Sequence, residues 1–431
     1  MKLVGNRDGN DKIWQKNLNG KRRLFAFMLC IMLIGMTICG CGAKNGKSQK
    51  KQNPGVTNKI DPSLTPSVSA APTAETDRIM DAADIGRIYA EACTNKDVVG
   101  TFVSELGLAG YTAVDCENRL NMTCPEPLLR FISAQQSGHQ AGAQFIVAWY
   151  SGGYSVYVLT TNQGQVHVKQ HFFSLKNGVP EQTEFYEYDA EYFAYSGEGY
   201  LLAEGRWHLE EQYLLTLSDG VEHLAVRVAP LSEENRQMCA KYIANVGYGV
   251  NNLFITNWTE TDFADVDFYD LFQLFYEECY GRKCPYGMSE DLSVGAEYRI
   301  AAQEFETVVQ SHISVSKEEL RKRLRYDAKT GEYIYRPRGY REFDYPDIPY
   351  PEVVSYTAGA DGTVILYVNA VYPGDNTSAL FTHKVTVRYS EDRIYYVGNE
   401  ISGDGEPDIR WHGRRFTEQQ WQEVYGTNEE P

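Results

Sequence analysis

From Gln144 to Val228 the chain alternates apolar and polar residues, and this period of two most narrows what it can fold into. Phe145 to Tyr150, Tyr154 to Thr161 and Val166 to Phe173 read as strands, separated by Ser151-Gly152-Gly153 and Asn162-Gln163-Gly164. Glycine in such short connections supplies the positive φ that tight hairpins need. Further strands are predicted over Glu184 to Tyr195, Gly199 to His208, Tyr213 to Leu217 and His223 to Val228. Short connections between successive strands make an antiparallel meander, hence a sheet, a sandwich or a small barrel.

Helices flank this block. Ile79, Met80, Ile85, Ile88 and Tyr89 recur at helical spacing between Asp77 and Thr94, and a second helix is predicted over Val98 to Leu108. Cys124-Pro125-Glu126-Pro127 breaks the pattern before a short helix over Leu128 to Ala134. Pro230-Leu231-Ser232 opens another, to about Val246, and Tyr248 to Phe254 reads as a loop and short strand. Asp262, Asp265, Asp267 and Asp270 begin a helix that buries Phe268, Leu271, Phe272 and Phe275; Ala301 to His312 is helical, and Ser316 with Glu319 forms a capping box. Strands at Glu352 to Tyr356, Thr363 to Tyr372, His383 to Tyr389 and Ile394 to Val397 precede a last helix from Thr417, with Gly426 placed to cap it. The expectation is an α+β fold in two domains. An antiparallel β-meander sheet or sandwich with flanking helices fills 77–247; a helical segment and a small antiparallel sheet fill 248–431.

The amino terminus is of a different kind. Lys2, Arg7, Lys12, Lys16, Lys21, Arg22 and Arg23 form a basic leader, and Leu24 to Gly42 then carries no charge. Such a leader followed by a short apolar run has the parts of a secretory signal. Ile38-Cys39-Gly40-Cys41 resembles the bacterial lipobox, in which the cysteine thiol takes a diacylglycerol. Residues 1–40 are read as a lipoprotein signal peptide cut before Cys41, with the domain held at the outer face of the cytoplasmic membrane. Two acyl chains give a stable anchor at ~0.8 kcal/mol per buried methylene. The alternative is an uncleaved transmembrane helix at about 24–42. Residues 41–76, rich in Lys, Ser, Thr and Pro and almost free of large apolar side chains, read as a disordered linker.

Charge then restricts partners. Of 41 basic and 58 acidic residues, the leader holds 7 and 2 and the linker 5 and 2, which leaves 29 and 54 after Thr76, a net charge near −25. A domain so acidic is repelled by phosphate backbones, so nucleic acid is excluded. Six of the nine cysteines lie beyond the signal region, and the close pairs Cys116–Cys124 and Cys279–Cys284 are the candidate disulfides of an exported chain. No histidine lies near them in sequence, which argues against zinc. Asp262, Asp265, Asp267 and Asp270, and the loop Ser402 to Asp408, have the carboxylates calcium favours, but acids at a helix start are also explained by the helix dipole.

Leader, lipobox, stalk, the run Glu304-Phe305-Glu306-Thr307-Val308-Val309, Glu319-Leu320-Arg321 and Ile348-Pro349-Tyr350-Pro351-Glu352 together resemble an uncharacterised family of lipoproteins from Gram-positive gut bacteria. That resemblance implies location and fold, with no activity, catalytic residue or cofactor. Glu184, Glu187, Asp189 and Glu191 among tyrosines suggest the carboxylate pair of a glycan hydrolase, although alternating acids and aromatics equally describe a half-exposed strand. His167 and His171 share a strand face without an acidic neighbour in the motif. The leading reading is a non-catalytic binding or assembly module of the cell envelope, whose partner is a wall glycan or an envelope protein; the alternative is an envelope hydrolase.

Overall fold

The glycines that punctuate the meander do what their spacing predicts. Gly152 and Gly153 adopt φ of 99° and 90°, and Gln163-Gly164 turns the next hairpin with both φ positive. A Cβ on Gly153 would lie 2.3 Å from the Phe173 carbonyl oxygen, so only glycine fits. The computed structural model describes residues 81–176, 179–207, 220–339, 342, 348–359, 362–390, 393–403, 409 and 411–426. The leader, Cys41 and the linker lie outside the described residues, as do the strand expected over Tyr213 to Leu217 and most of the loop Ser402 to Asp408.

The architecture is α+β. Helices α1 (Ala82–Ala92), α2 (Val98–Leu108) and α3 (Glu126–Gln136) accompany strands β1 (Ala113–Asp115), β2 (Ala141–Ala148), β3 (Tyr154–Asn162), β4 (Gln165–Lys176), β5 (Val179–Tyr195), β6 (Tyr200–Arg206) and β7 (Val221–Arg227). These strands form one seven-stranded sheet in chain order. All neighbours are antiparallel except β1, which runs parallel to β2, a pairing the meander did not foretell. Both faces are covered. Ile146, Ala148, Val156 and Val158 pack under α1 and α2, while Phe145, Val147, Tyr157 and Leu159 pack on the other side with Leu128, Phe131 and Ile132 of α3.

After α4 (Glu233–Tyr242), the chain builds β8 (Trp258–Thr259), α5 (Phe268–Tyr280), β9 (Tyr298–Ala301), α6 (Ala302–Gln310), α7 (Lys317–Arg323), β10 (Tyr326–Asp327) and β11 (Glu332–Tyr335). β12 (Tyr350–Ala358), β13 (Thr363–Val371), β14 (Thr382–Ser390), β15 (Arg393–Ser402) and α8 (Glu418–Tyr425) complete it. β12-β13-β14-β15-β8 form a five-stranded sheet and β10-β11-β9 a three-stranded one. The short strand expected within Tyr248 to Phe254 is absent; Tyr248 and Phe254 are instead core side chains. α4 stops at Tyr242, short of Val246.

Residues Ala71–Pro431 belong to one compact unit. Its largest apolar cluster runs from Tyr242 to Trp411, the two others from Ile85 to Val228, and a small fourth joins Tyr200 and Leu202 to Val371. Beside that fourth cluster Glu352 of β12 accepts from Tyr200 of β6 at 2.8 Å and from Arg227 of β7 at 2.7 Å. The seven- and five-stranded sheets are thereby fastened by a buried ion pair and a tyrosine. Among the described residues no helix is long and apolar enough to cross a membrane.

Candidate functional site

Strand alternation puts Phe145, Val147, Ser155, Tyr157, Val168, Gln170, Tyr186 and Tyr188 on one face of the seven-stranded sheet. Near the ends of β2 and β6 this face carries a continuous aromatic row. Trp149 stacks on Phe172 with centroids 6.4 Å apart, Phe172 meets Tyr186 edge-on at 5.0 Å, and Tyr186 stacks on Trp207 at 4.4 Å with planes 7° apart. Register explains the row, because Phe172 lies opposite Ser155 on one side and Glu184 on the other, and Tyr186 opposite Gln170. All four rings are half-buried. Two are fixed by hydrogen bonds: Trp149 Nε1 donates to Ser155 Oγ at 2.9 Å, and Tyr186 OH donates to Glu184 at 2.7 Å.

Beneath the row lies a polar floor. Gln170, 1% exposed, donates its amide to Tyr157 OH at 2.6 Å. Gln170 Oε1 and the Tyr188 hydroxyl have no hydrogen-bond partner among the described residues. A buried acceptor or hydroxyl left this way costs about 1–3 kcal/mol of stability. Burial raises the pKa values of Tyr157, Tyr186 and Tyr188, and the charge of Glu222 on β7 adds to all three shifts. Glu222 shares the parity of Leu224 and Val226, which places it on the row's side of the sheet.

Aromatic faces are electron-rich and attract weakly positive C–H groups, and the Tyr186 hydroxyl and Glu184 carboxylate beside the rings can hydrogen-bond hydroxyl groups. Together they suit a ring with apolar faces and a polar rim. The neighbouring carboxylates Glu184 and Glu222 disfavour an anion there. Sequence reasoning identified the tyrosine-rich strand, but not Gln170, Glu222 or the pairing of Trp207 with Tyr186. Only cross-strand register brings those together.

Apart from Glu184, the sequence candidates fall elsewhere. Glu187 and Asp189 point to the opposite face, where they bracket His167 at 2.9 and 2.8 Å, with Lys169 also on Glu187. Burial works against the charged imidazole, but the bonds to Asp189 and Glu187 prevail and raise the pKa of His167. The acidic partners missing from the histidine motif are thus supplied by the next strand. His171 instead packs on Phe185. Glu191 pairs with Arg206 at 3.5 Å, so the four acids are divided between two faces and do not face one another across a cleft.

Asp267 and Asp270 are bound by arginines. Arg338 and Arg415 reach both carboxylates and His412 reaches Asp270, which fastens the segment around Trp411 to the start of α5. Asp262 caps its own turn by accepting from the Ala264 amide, and Asp265 is an exposed partner of Arg414. Among the described residues no group of His, Cys, Asp and Glu is arranged to hold a metal ion. Cys116, Cys124, Cys279 and Cys284 are free thiols, as are Cys93 and Cys239. Neither close pair is bridged here, and the Cys124 thiol donates to the Gly107 carbonyl at 3.6 Å.

The chain belongs to a family of unknown function (DUF6070), whose model matches residues 71–415. No curated protein and no solved structure matches it.

Proposed function

We propose that this chain is a lipid-anchored, non-catalytic binding module of the bacterial cell envelope, and that its ligand is a neutral stretch of wall glycan laid on the aromatic row. The observation that carries the reading is the half-exposed row Trp149–Phe172–Tyr186–Trp207, with Glu184 hydrogen-bonded at its edge. Support for the anchor comes from the leader, Ile38-Cys39-Gly40-Cys41 and the polar linker. A glycan fits the charge pattern better than a polyanion does, because Glu184 and Glu222 stand beside the rings.

The test is binding of a soluble β-linked N-acetylglucosamine hexamer by calorimetry, in the native chain and in Trp207→Ala. Loss of one stacking ring is expected to weaken affinity roughly tenfold, the equivalent of ~1.4 kcal/mol. Equal binding by both chains removes the row from the ligand contact. Release of shorter oligosaccharides during the titration, abolished by Glu222→Gln, transfers the reading to the hydrolase alternative.

A further inference from the structure

On the other side of β7 lies a cleft of about 910 Å³, between the loop after β1, β7 itself, α4 and the start of β12. This is the size of a small-ligand site, at a junction between two sheets where such sites concentrate. The cleft adjoins the aromatic row, since Cys116 both lines it and packs with Trp149 and Trp207 on one apolar cluster. β7 separates the two regions by alternation: Glu222 belongs to the row's face, His223 to the cleft.

The cleft's chemistry is that of an incompletely matched cation. Arg236 of α4 donates through Nε and Nη2 to Asn121 Oδ1, at 2.9 and 2.6 Å, and through Nη1 to the Asn118 carbonyl at 2.8 Å. Its acceptors are all neutral, and one N–H remains on each terminal nitrogen. The nearby carboxylates are committed elsewhere. Glu352 is held by Arg227 and Tyr200, and Asp115 accepts from the backbone amides of Glu117, Arg119 and Leu120. Burial lowers the pKa of Arg236; the charge of Glu352, which also lines the cleft, opposes that shift, and the like charge of Arg227 adds to it. A second arginine, Arg119, lines the same cleft, lies over the Tyr150 ring at 5.0 Å and pairs with the exposed Glu117 carboxylate, which lines the cleft too.

We propose that this cleft binds an anionic branch, a carboxylate or phosphate, of the glycan held on the aromatic row, with Arg236 as the principal contact and Arg119 at the rim. The inference rests on the glycan reading for its ligand, but the cation and the cleft stand without it. Two free N–H groups on adjacent guanidinium nitrogens match the two oxygens of one such group.

Three probes separate the parts: the neutral hexamer, a disaccharide carrying a peptide with free carboxylates, and a glycerol-phosphate oligomer. Calorimetry at low salt should show one anionic probe binding about tenfold more tightly than the neutral one, as charge-assisted hydrogen bonds allow. Arg236→Gln should abolish that difference while leaving neutral-glycan binding intact. Arg119→Gln, at an exposed position, should reduce it about threefold without risk to the fold. The probe that gains identifies carboxylate or phosphate as the source. Equal binding of all three probes, or equal weakening of all three by Arg236→Gln in a normally folded chain, overturns the inference. Arg236-dependent binding of an anionic probe alone, with the hexamer unbound, supports the cleft and overturns the glycan reading instead.

Discussion

Replacing Asp270 with asparagine removes one negative charge from the most enclosed ionic cluster of the C-terminal region. Asp270 is 3% exposed; it accepts from Arg338 Nε and Nη2, each at 2.9 Å, and from Arg415 Nη2, with His412 Nε2 at 3.1 Å. Arg338 is itself buried, at 5% exposed, so D270N leaves a guanidinium enclosed beside an amide whose own N–H groups repel it. Breaking a buried pair from one side costs about 3–5 kcal/mol. Urea unfolding followed by tryptophan fluorescence measures it, and buried Trp411, next to His412 in sequence, reports on the segment released. Acid titration adds a second reading. Burial works to raise the Asp270 pKa, but Arg415, His412 and Arg338 outweigh it and hold the carboxyl at about 2, against 3.8 ordinarily. A depressed carboxylate pKa gives stability that is full above the unfolded value and is lost as pH falls toward the folded one. The gap between native and D270N chains should therefore shrink by about 2 kcal/mol between pH 4 and pH 2. A D270N chain within about 1 kcal/mol of the native one at pH 7 refutes the claim that this cluster holds the C-terminal segment.

His383, 1% exposed between Tyr248 OH and Asn399 Oδ1, has its pKa pushed down by burial to about 4. Unfolding lets it protonate near pH 6.5, so stability should fall by about 3 kcal/mol from pH 6.5 to pH 4, and His383→Gln should flatten that slope in pH-dependent unfolding. Gly153→Ala should destabilise by about 2–3 kcal/mol, because a positive φ and the Phe173 carbonyl both oppose a side chain there. Gly138→Ala, with a similar φ but open space, should lose only about 1 kcal/mol; equal losses would show that the carbonyl contact does not matter. Intact mass of the membrane-extracted protein should correspond to a diacylglyceryl chain beginning at Cys41, lost in Cys41→Ala. A full-length unlipidated mass would instead make residues 24–42 a membrane helix.

What the sequence discloses of this fold follows the range of the forces involved. Alternation from Phe145 to Val228 reveals the strands, because each side chain's face is set by its immediate neighbours. Ser316 and Thr417 announce their helices through hydrogen bonds three residues long. β1 is invisible to such reading: three residues, Ala113 to Asp115, become a strand only because β2 lies beside them. The same holds for β9 and β11, whose four residues each pair across about thirty positions of sequence. The acids near Glu187 were visible as a cluster, yet their division between two faces depends on β4 and on His167 twenty residues earlier. The aromatic row requires β4 and β5 to be in register with the residues just beyond the ends of β2 and β6.

The division of labour along β7 links the two proposed contacts. Successive side chains of a strand point to opposite sides, so Glu222 and His223 belong to different surfaces although adjacent in sequence. On one side, carboxylates beside stacked rings favour a neutral polyol and repel anions. On the other, Arg227 is neutralised by Glu352 while Arg236 keeps unused N–H groups and only neutral acceptors. The two surfaces therefore favour different parts of a ligand. A polymer carrying neutral rings and charged branches is the ligand that both surfaces can engage together, and a branchless or uniformly charged one leaves half of the arrangement unused.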